Sequence, residues 1–273
     1  MAEETQYVAN MGMATLTTAN SSMVGASSTL VLTGGTSAAG FKGTLLKSIY
    51  IKAQQSITTA GIIRLFINNG STNYRLISEI TIPLITKASN TAAYEARVDL
   101  NFNMQPDYKL YATVSQDYLS GGINIIAEGL NWTYYSTSVR PDTTQYNFNL
   151  SRGTTSTANS NLDGTGTLAT AFTAGSSVTY KGSSVECVTL KSVVNNTAGM
   201  YRLFIKDTGT TKKLIMEVPV PTVTKAATDQ AFEHVIVFDN NLDLPAGYSI
   251  LIGTEKAETV IAWVEAKDWN YVA

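Results

Sequence analysis

The sequence contains one phrase twice, GIIRLFINNG at 61–70 and GMYRLFIKDTG at 199–209. Other phrases recur in the same order at nearly the same spacing: RLISEITIP (75–83) with KLIMEVPVP (213–221), then NWTY (131–134) with DWNY (268–271). Because order and spacing agree along the whole chain, the sequence predicts an internal duplication.

The repeat sets the expected domain boundaries. The first copy spans 5–138 and the second spans 144–273, with a linker at 139–143 that is polar and contains Pro141. Polar, proline-containing stretches are typical of connecting segments. Each copy is far longer than the 20–50 residues of a solenoid repeat, so we expect two domains in tandem.

The hydrophobic pattern in both copies has a period of two. Ile63, Leu65 and Ile67 alternate with Arg64 and Phe66, which is typical of half-buried strands. No amphipathic helix is evident, and strands are expected near these positions of the first copy: 27–33, 44–53, 61–68, 74–82, 92–101, 107–115 and 122–134. Many short antiparallel strands per copy predict an all-β fold of two tandem β-sandwich domains. The Cys…Trp…Cys pattern of immunoglobulin domains is missing, which favours a jelly roll.

One hairpin in each copy has a predictable register. The loops GSTN and TGTT place an arginine directly opposite a glutamate in both copies: Arg64 with Glu79, and Arg202 with Glu217. A cross-strand ion pair of this kind fixes the strand register and contributes about 0.2–1 kcal/mol. The alternative is that the pair marks a contact point at an interface.

Composition excludes several kinds of function. Charged residues make up 15% of the 273 residues, below the roughly 25% of an average soluble domain. The net charge is −2 and no basic stripe is present, so we expect no nucleic acid partner. The segment MAEETQYVAN has no apolar core, and no run of about 18 apolar residues exists, so neither a signal peptide nor a membrane span is expected.

The residues that could support catalysis are few. His234 is the only histidine and corresponds to Ala96 in the first copy, so it is expected at a packed or rim position. Cys187, the only cysteine, corresponds to Ser48 and is expected to be a small packed residue without a disulfide. Glu128 and Glu265 lack the second carboxylate that glycoside hydrolysis needs. We therefore expect no enzymatic activity, no catalytic residue and no cofactor.

Two other patterns have both a structural and a functional interpretation. NLDGTG (161–166) and DNNLDLPAG (239–247) could supply oxygen ligands to calcium, but turn chemistry explains them equally well, and no metal is predicted. Trp132 and Trp269 occupy matching positions, whereas Trp263 has no counterpart. Tryptophans could stack on sugar rings or close the sandwich by packing.

The phrases G-[IM]-x-R-L-F-I and [RK]-L-I-x-E-[IV]-x-[IV]-P resemble virion structural proteins of tailed bacteriophages. The resemblance is to auxiliary capsid or head-surface proteins of gut-phage type, and it covers both copies. It implies a β-sandwich or jelly-roll fold, no enzymatic activity and assembly with other virion proteins. It also implies a homo-oligomer that resides in the virion after assembly in the host cytoplasm.

Two other functions are compatible with the residues. A duplicated carbohydrate-binding module of a phage fibre or adhesin would share the polar, weakly charged surface. A major capsid protein with a double jelly roll would share the duplication, although such proteins usually have longer loops.

Overall fold

A computed structural model describes residues 4–71, 73–89, 91–118, 121–135, 143–176, 179–226 and 230–272. The first eight strands are β1 (Glu4–Leu16), β2 (Thr29–Thr33), β3 (Gly43–Ala53), β4 (Gly61–Asn68), β5 (Tyr74–Ile82), β6 (Glu95–Met104), β7 (Lys109–Val114) and β8 (Ile123–Tyr135). The next eight are β9 (Thr143–Thr155), β10 (Ala169–Thr173), β11 (Gly182–Ser192), β12 (Gly199–Lys206), β13 (Lys212–Val220), β14 (Glu233–Leu244), β15 (Ser249–Thr254) and β16 (Val260–Val272).

The chain is all-β, as the sequence predicts, and divides into two compact units. Unit 1 comprises Met1–Thr86, Tyr94–Thr144 and Tyr271–Ala273, and unit 2 comprises Lys87–Ala93 and Gln145–Asn270. The only helix in the described ranges is a single 3-10 turn at Ser37–Ala39, and no helix there has the length and apolar composition of a membrane span.

Each half of the strand series forms two four-stranded antiparallel sheets with the same order. The first half gives β1-β8-β3-β6 and β2-β7-β4-β5. The second half gives β9-β16-β11-β14 and β10-β15-β12-β13. In both halves the first strand pairs with the last, the second with the seventh, the third with the sixth and the fourth with the fifth. In each half, the strand pairs are therefore nested: each pair encloses the next pair along the chain.

The central strands are more deeply buried than their alternating pattern predicts. On β4 both Phe66 and its neighbours Leu65 and Ile67 are buried, so the expected half-buried strand is wrong here. Phe204 on β12 is equally buried. Burying one such side chain contributes roughly 1.5–3 kcal/mol relative to leaving it in water. By contrast, β5 alternates between exposed and less exposed positions.

The β4–β5 hairpin contains a bulge that the loop-centre argument does not include. Next to the turn, Phe66 lies opposite Leu76, but Leu65 lies opposite Ser78, so Ile77 has no partner. Beyond the bulge, Arg64 lies opposite Glu79. The hairpin β12–β13 repeats this arrangement: the bulged residue is Ile215, and the pair is Arg202 with Glu217.

The structure has a long first strand in each half, β1 and β9, that the sequence does not predict. The positions expected for the first copy begin only at 27–33, and the second copy is expected to follow the pattern of the first. In β1, Gly12 lies where an added Cβ would be 2.0 Å from the backbone oxygen of Val31 on β2. Gly153 in β9 is equally close-packed, since an added Cβ would be 2.6 Å from the backbone oxygen of Thr170 on β10. The first strand of each half therefore passes directly against the second.

Two predicted loops lie partly in strands. The sequence predicts a linker at 139–143. Its last residue, Thr143, is the first residue of β9, and 139–142 lie outside the described residues. The sequence predicts turn chemistry for DNNLDLPAG at 239–247, but most of this stretch belongs to β14. The strand tolerates the polar sequence because Asn241 adopts a left-handed backbone (φ 51°) where the β11–β14 register shifts.

Candidate functional site

Unit 2 contains a buried ion cluster built on the β12–β13 hairpin. Arg202 Nε donates to Glu217 Oε1 at 3.1 Å, and the glutamate side chain is 0% exposed. The other guanidinium nitrogens donate to the carbonyl oxygen of Asn159 at 2.9 Å and to Glu255 Oε2 at 3.4 Å. The arginine thus has a partner on each of its three nitrogens.

The segment Lys87–Ala93, here called the strap, belongs to unit 2 and completes this cluster. Lys87 Nζ lies 2.7 Å from Glu217 Oε1, and the backbone N–H of Ala93 donates to Glu217 Oε2 at 3.3 Å. A buried carboxylate is tolerated only when its charge is paired and its lone pairs are hydrogen-bonded. The strap supplies both a cation and an N–H to Glu217.

Unit 1 carries the same pair in a different environment. Arg64 Nε donates to Glu79 Oε1 at 2.8 Å, but the Glu79 side chain is 43% exposed. Arg64 Nη1 is buried and has no hydrogen-bond partner among the described residues. The Arg64–Glu79 pair thus lacks the lysine and the backbone N–H that its counterpart receives from the strap.

The residue that corresponds to Lys87 in the second copy is exposed. TKA at 224–226 matches TKA at 86–88, so Lys225 corresponds to Lys87 and Ala231 to Ala93. The backbone N–H of Lys225 donates to Asn195 Oδ1 at 2.9 Å, and the residue is exposed. Within the described ranges its ammonium group forms no ion pair.

A second difference concerns the outer face of the sheet β9-β16-β11-β14. Phe148 is 82% exposed, with Lys267 Nζ 5.0 Å from its ring centroid, and Arg152 stands 5.5 Å from the Trp263 ring centroid. This surface, here called the apolar face, includes the following exposed residues: Tyr146, Phe148, Leu150, Val235, Val237 and Trp263. Exposed apolar residues on one face of a sheet are a candidate interaction site.

Three of the matching positions in unit 1 are buried. Ala9 and Met11 correspond to Phe148 and Leu150, and they are only 7% and 6% exposed. Ile126, which corresponds to Trp263, is also buried. The difference does not extend to β6, because Asp99, which corresponds to Val237, is exposed. The two faces therefore differ on their first and last strands.

His234 and Cys187, for which the sequence predicts packed or rim positions, lie on the neighbouring strands β14 and β11. His234 is exposed on β14, and its ring stacks on Phe232 at a centroid distance of 6.5 Å. Cys187 lies opposite Glu265 in the β11–β16 register. Partial burial, and next the Glu265 carboxylate, raise the pKa of the Cys187 thiol, which favours the unreactive protonated form.

The glutamate and tryptophan side chains considered in the sequence analysis differ in their burial and contacts. Glu128 is buried, and its carboxylate accepts hydrogen bonds from Lys47 Nζ at 2.9 Å and Ser48 Oγ at 2.7 Å. Trp132 packs edge-on against Tyr134. Trp269 is buried, whereas Trp263 belongs to the apolar face.

The stretch NLDGTG uses its oxygens in a turn. Asp163 Oδ1 accepts hydrogen bonds from the backbone N–H and the hydroxyl of Thr165, and these bonds lower the pKa of the Asp163 carboxyl. Within the part of the chain that the structure describes, no group of three or more His, Cys, Asp or Glu is placed to hold a metal ion.

Sequence reasoning identifies the Arg–Glu pairs but not the strap or the apolar face. The repeated TKA is a usable signal for the strap, because a lysine recurs at matching positions outside the strands. The apolar face gives no usable signal, since alternating aromatic residues in β9 are equally typical of a strand buried on one side.

Comparisons with known proteins give distant likenesses only. No protein-family model matches the chain, and no curated protein matches its sequence. A chain from the structure of Sulfolobus turreted icosahedral virus is 8% identical with a TM-score of 0.28, and the match covers 98% of this chain and 58% of that one. This chain thus spans less than two thirds of that protein's length.

Chains from two other viral structures have similarly low sequence identities and TM-scores. A chain of the T13 particle of infectious bursal disease virus (IBDV) is 12% identical with a TM-score of 0.25, over 99% of this chain and 74% of that one. A chain of Macrobrachium rosenbergii nodavirus is 8% identical with a TM-score of 0.18, over 100% and 97%. Because all three TM-scores lie below 0.5, these likenesses assign neither family nor function.

Proposed function

We propose that the protein is a non-enzymatic structural component of a virus particle, built from two duplicated jelly-roll β-sandwiches. The nested strand order carries this proposal. Eight strands in two sheets of order 1-8-3-6 and 2-7-4-5 are typical of a jelly roll, an architecture used by viral capsid and lectin domains. The same order in both halves, together with the repeated phrases, supports a duplication.

The resemblance to tailed-phage virion proteins supports a virion component over a lectin domain. The partners would then be other virion proteins and further copies of the chain, and the protein would join the particle in the host cytoplasm. The absence of a catalytic constellation from the described residues is compatible with a structural role, since no nucleophile, base and orienting group come together there.

Two roles within a particle remain distinct proposals. An auxiliary head-surface protein binds to a finished shell, whereas a double-jelly-roll major capsid protein builds the shell itself. The apolar face and the open Arg64–Glu79 pair favour the second role, because both features call for burial against a further subunit. The two tryptophans best suited to stacking on a sugar are otherwise engaged: Trp269 is buried, and Arg152 stands over the ring of Trp263.

The experiment uses antibodies against the recombinant chain and virus particles purified from the source sample by density gradient. The chain should sediment with nuclease-protected genomes. Quantitative mass spectrometry of the particles then separates the roles, since a shell subunit is the most abundant protein and a surface component is not. If the chain stays out of particle fractions and binds oligosaccharides on a glycan array, the carbohydrate-binding function replaces this one.

A further inference from the structure

We infer that a second copy of the chain completes the Arg64–Glu79 site, by placing its Lys225 and Ala231 where the strap places Lys87 and Ala93 in unit 2. This inference rests on the proposed function and deepens it by naming the partner and the contact. It follows from comparing two equivalent sites, one complete and the other incomplete.

The open site in unit 1 lacks groups that the complete site has. In unit 2, Glu217 accepts a lysine and a backbone N–H in addition to its arginine. In unit 1, Glu79 accepts only Arg64 within the described residues and keeps 43% of its side chain in solvent. The Glu79 carboxylate, as an acceptor that is partly in solvent, can therefore still take the ammonium group and the backbone N–H of a segment like the strap.

One segment of the second copy has the features that the open site requires. A suitable segment must carry a lysine followed six residues later by an alanine N–H, as Lys87 and Ala93 do. Lys225 and Ala231 have this spacing, follow the same Thr, and leave the corresponding strand of the duplicated domain. Lys225 is exposed, so its ammonium group is accessible to the carboxylate of another molecule.

Apolar surface lies next to this segment. The chain after Ala231 leads into β14, whose exposed Val235 and Val237 belong to the apolar face. The strap leads into β6, where the polar residues Arg97 and Asp99 correspond to Val235 and Val237. If a second copy docks at the lysine, it also covers apolar surface next to it. Apolar burial supplies most of the driving force for association, and the ion pair fixes the register.

The contact is head-to-tail, because the second half of one copy meets the first half of the next. Such heterologous contacts form a closed ring when the rotation closes and an open chain when it does not. Either product is larger than the 29.3 kDa monomer and requires no other protein.

The test measures self-association of the purified full-length chain by sedimentation velocity over a wide concentration range. Lys225→Glu and Glu79→Lys should each weaken self-association by about thirtyfold or more, since each places like charges in contact at a buried position. The double variant carrying both changes should recover it, because the two exchanged side chains would again face each other with opposite charges. Lys42→Glu makes the same charge change at another exposed lysine and should have no effect.

A matched pair of variants tests the apolar face. Val237→Ser should weaken self-association, whereas Val24→Ser, at another strongly exposed apolar residue, should not. Circular dichroism and thermal unfolding of every variant check that the fold is intact.

Cross-linking through cysteine tests the contact itself. In a Cys187→Ser background, Glu79→Cys chains mixed with Lys225→Cys chains should be joined by a short bis-maleimide, which spans the gap left by the two long side chains. Neither variant alone should be joined. A chain that stays monomeric at every concentration, or that self-associates equally well as Lys225→Glu, overturns the inference. Self-association through this contact by a chain absent from virus particles would instead overturn the proposed function and leave the inference standing.

Discussion

The hairpins β4–β5 and β12–β13 carry the same arginine and glutamate at the same register, next to the same bulge. Arg202 and Glu217 are both paired and buried, whereas the Glu79 side chain is 43% exposed. The comparison shows that an ion pair seen in sequence has no fixed energetic value. The elements that cover it determine whether it is a minor surface contact or an obligatory part of the core.

The largest expected effect is the difference in stability between variants at the two matched glutamates, Glu217 and Glu79. Glu217→Ala leaves the buried Arg202 and the neighbouring Lys87 with a single carboxylate, Glu255, and should lower the free energy of unfolding by about 3 kcal/mol. Glu79→Ala removes a half-exposed partner and should lower it by about 1 kcal/mol or less. Urea unfolding at low protein concentration, where the chain is monomeric, measures both values. Equal losses would mean that the strap does not distinguish the two sites.

A smaller effect should be shared by the two halves. Gly12→Ala and Gly153→Ala each place a methyl group against the backbone of the next strand and should each destabilise the protein by roughly 1–3 kcal/mol. Gly209→Ala is the matched control, because its added Cβ would be 3.4 Å from the nearest atom and should change stability little. A loss at only one of the two glycines would show that the first strands pack differently in the two halves.

The repeat and the hydrophobic alternation predict much of the fold. A period of two in strands such as β5 follows directly from the alternation of side chains across a sheet. The first strand of each half is missing from the sequence-based prediction for opposite reasons. β1 contains small residues such as Gly12 and Ala14 that carry little alternation, whereas Tyr146, Phe148 and Leu150 of β9 alternate clearly but directly follow the predicted linker.

The candidate site could be predicted only in its local part. Residues in one hairpin are close in sequence, so loop position correctly places Arg64 opposite Glu79. Only between the bulge at Ile77 and the turn does the register differ by one residue from that prediction. Lys87 meets Glu217 across a long stretch of chain, and no local pattern encodes such a contact. The exposure of a residue on a sheet face is likewise not encoded locally, as the difference between Phe148 and Ala9 at matching positions illustrates.

The smallest expected effect concerns thiol reactivity at another pair of matched positions, Cys187 and Ser48. Burial, and next the Glu265 carboxylate, raise the pKa of the Cys187 thiol, so less thiolate is present at any pH below that pKa. Iodoacetamide should therefore alkylate Cys187 more slowly than free cysteine at pH 8, and the rate should reach its half-maximum at a higher pH. Glu265→Gln removes a negative charge, so it should lower the pKa and speed the reaction.

The matched site in unit 1 sharpens this comparison. Ser48 is fully buried and donates to the buried carboxylate of Glu128. A Ser48→Cys thiol, introduced in a Cys187→Ser background, should react more slowly still, because burial and the adjacent Glu128 charge both disfavour the thiolate. Mass spectrometry of the alkylated chain over time measures both rates. If the Ser48→Cys thiol reacts as fast as the Cys187 thiol, positions 48 and 187 do not differ in burial in solution.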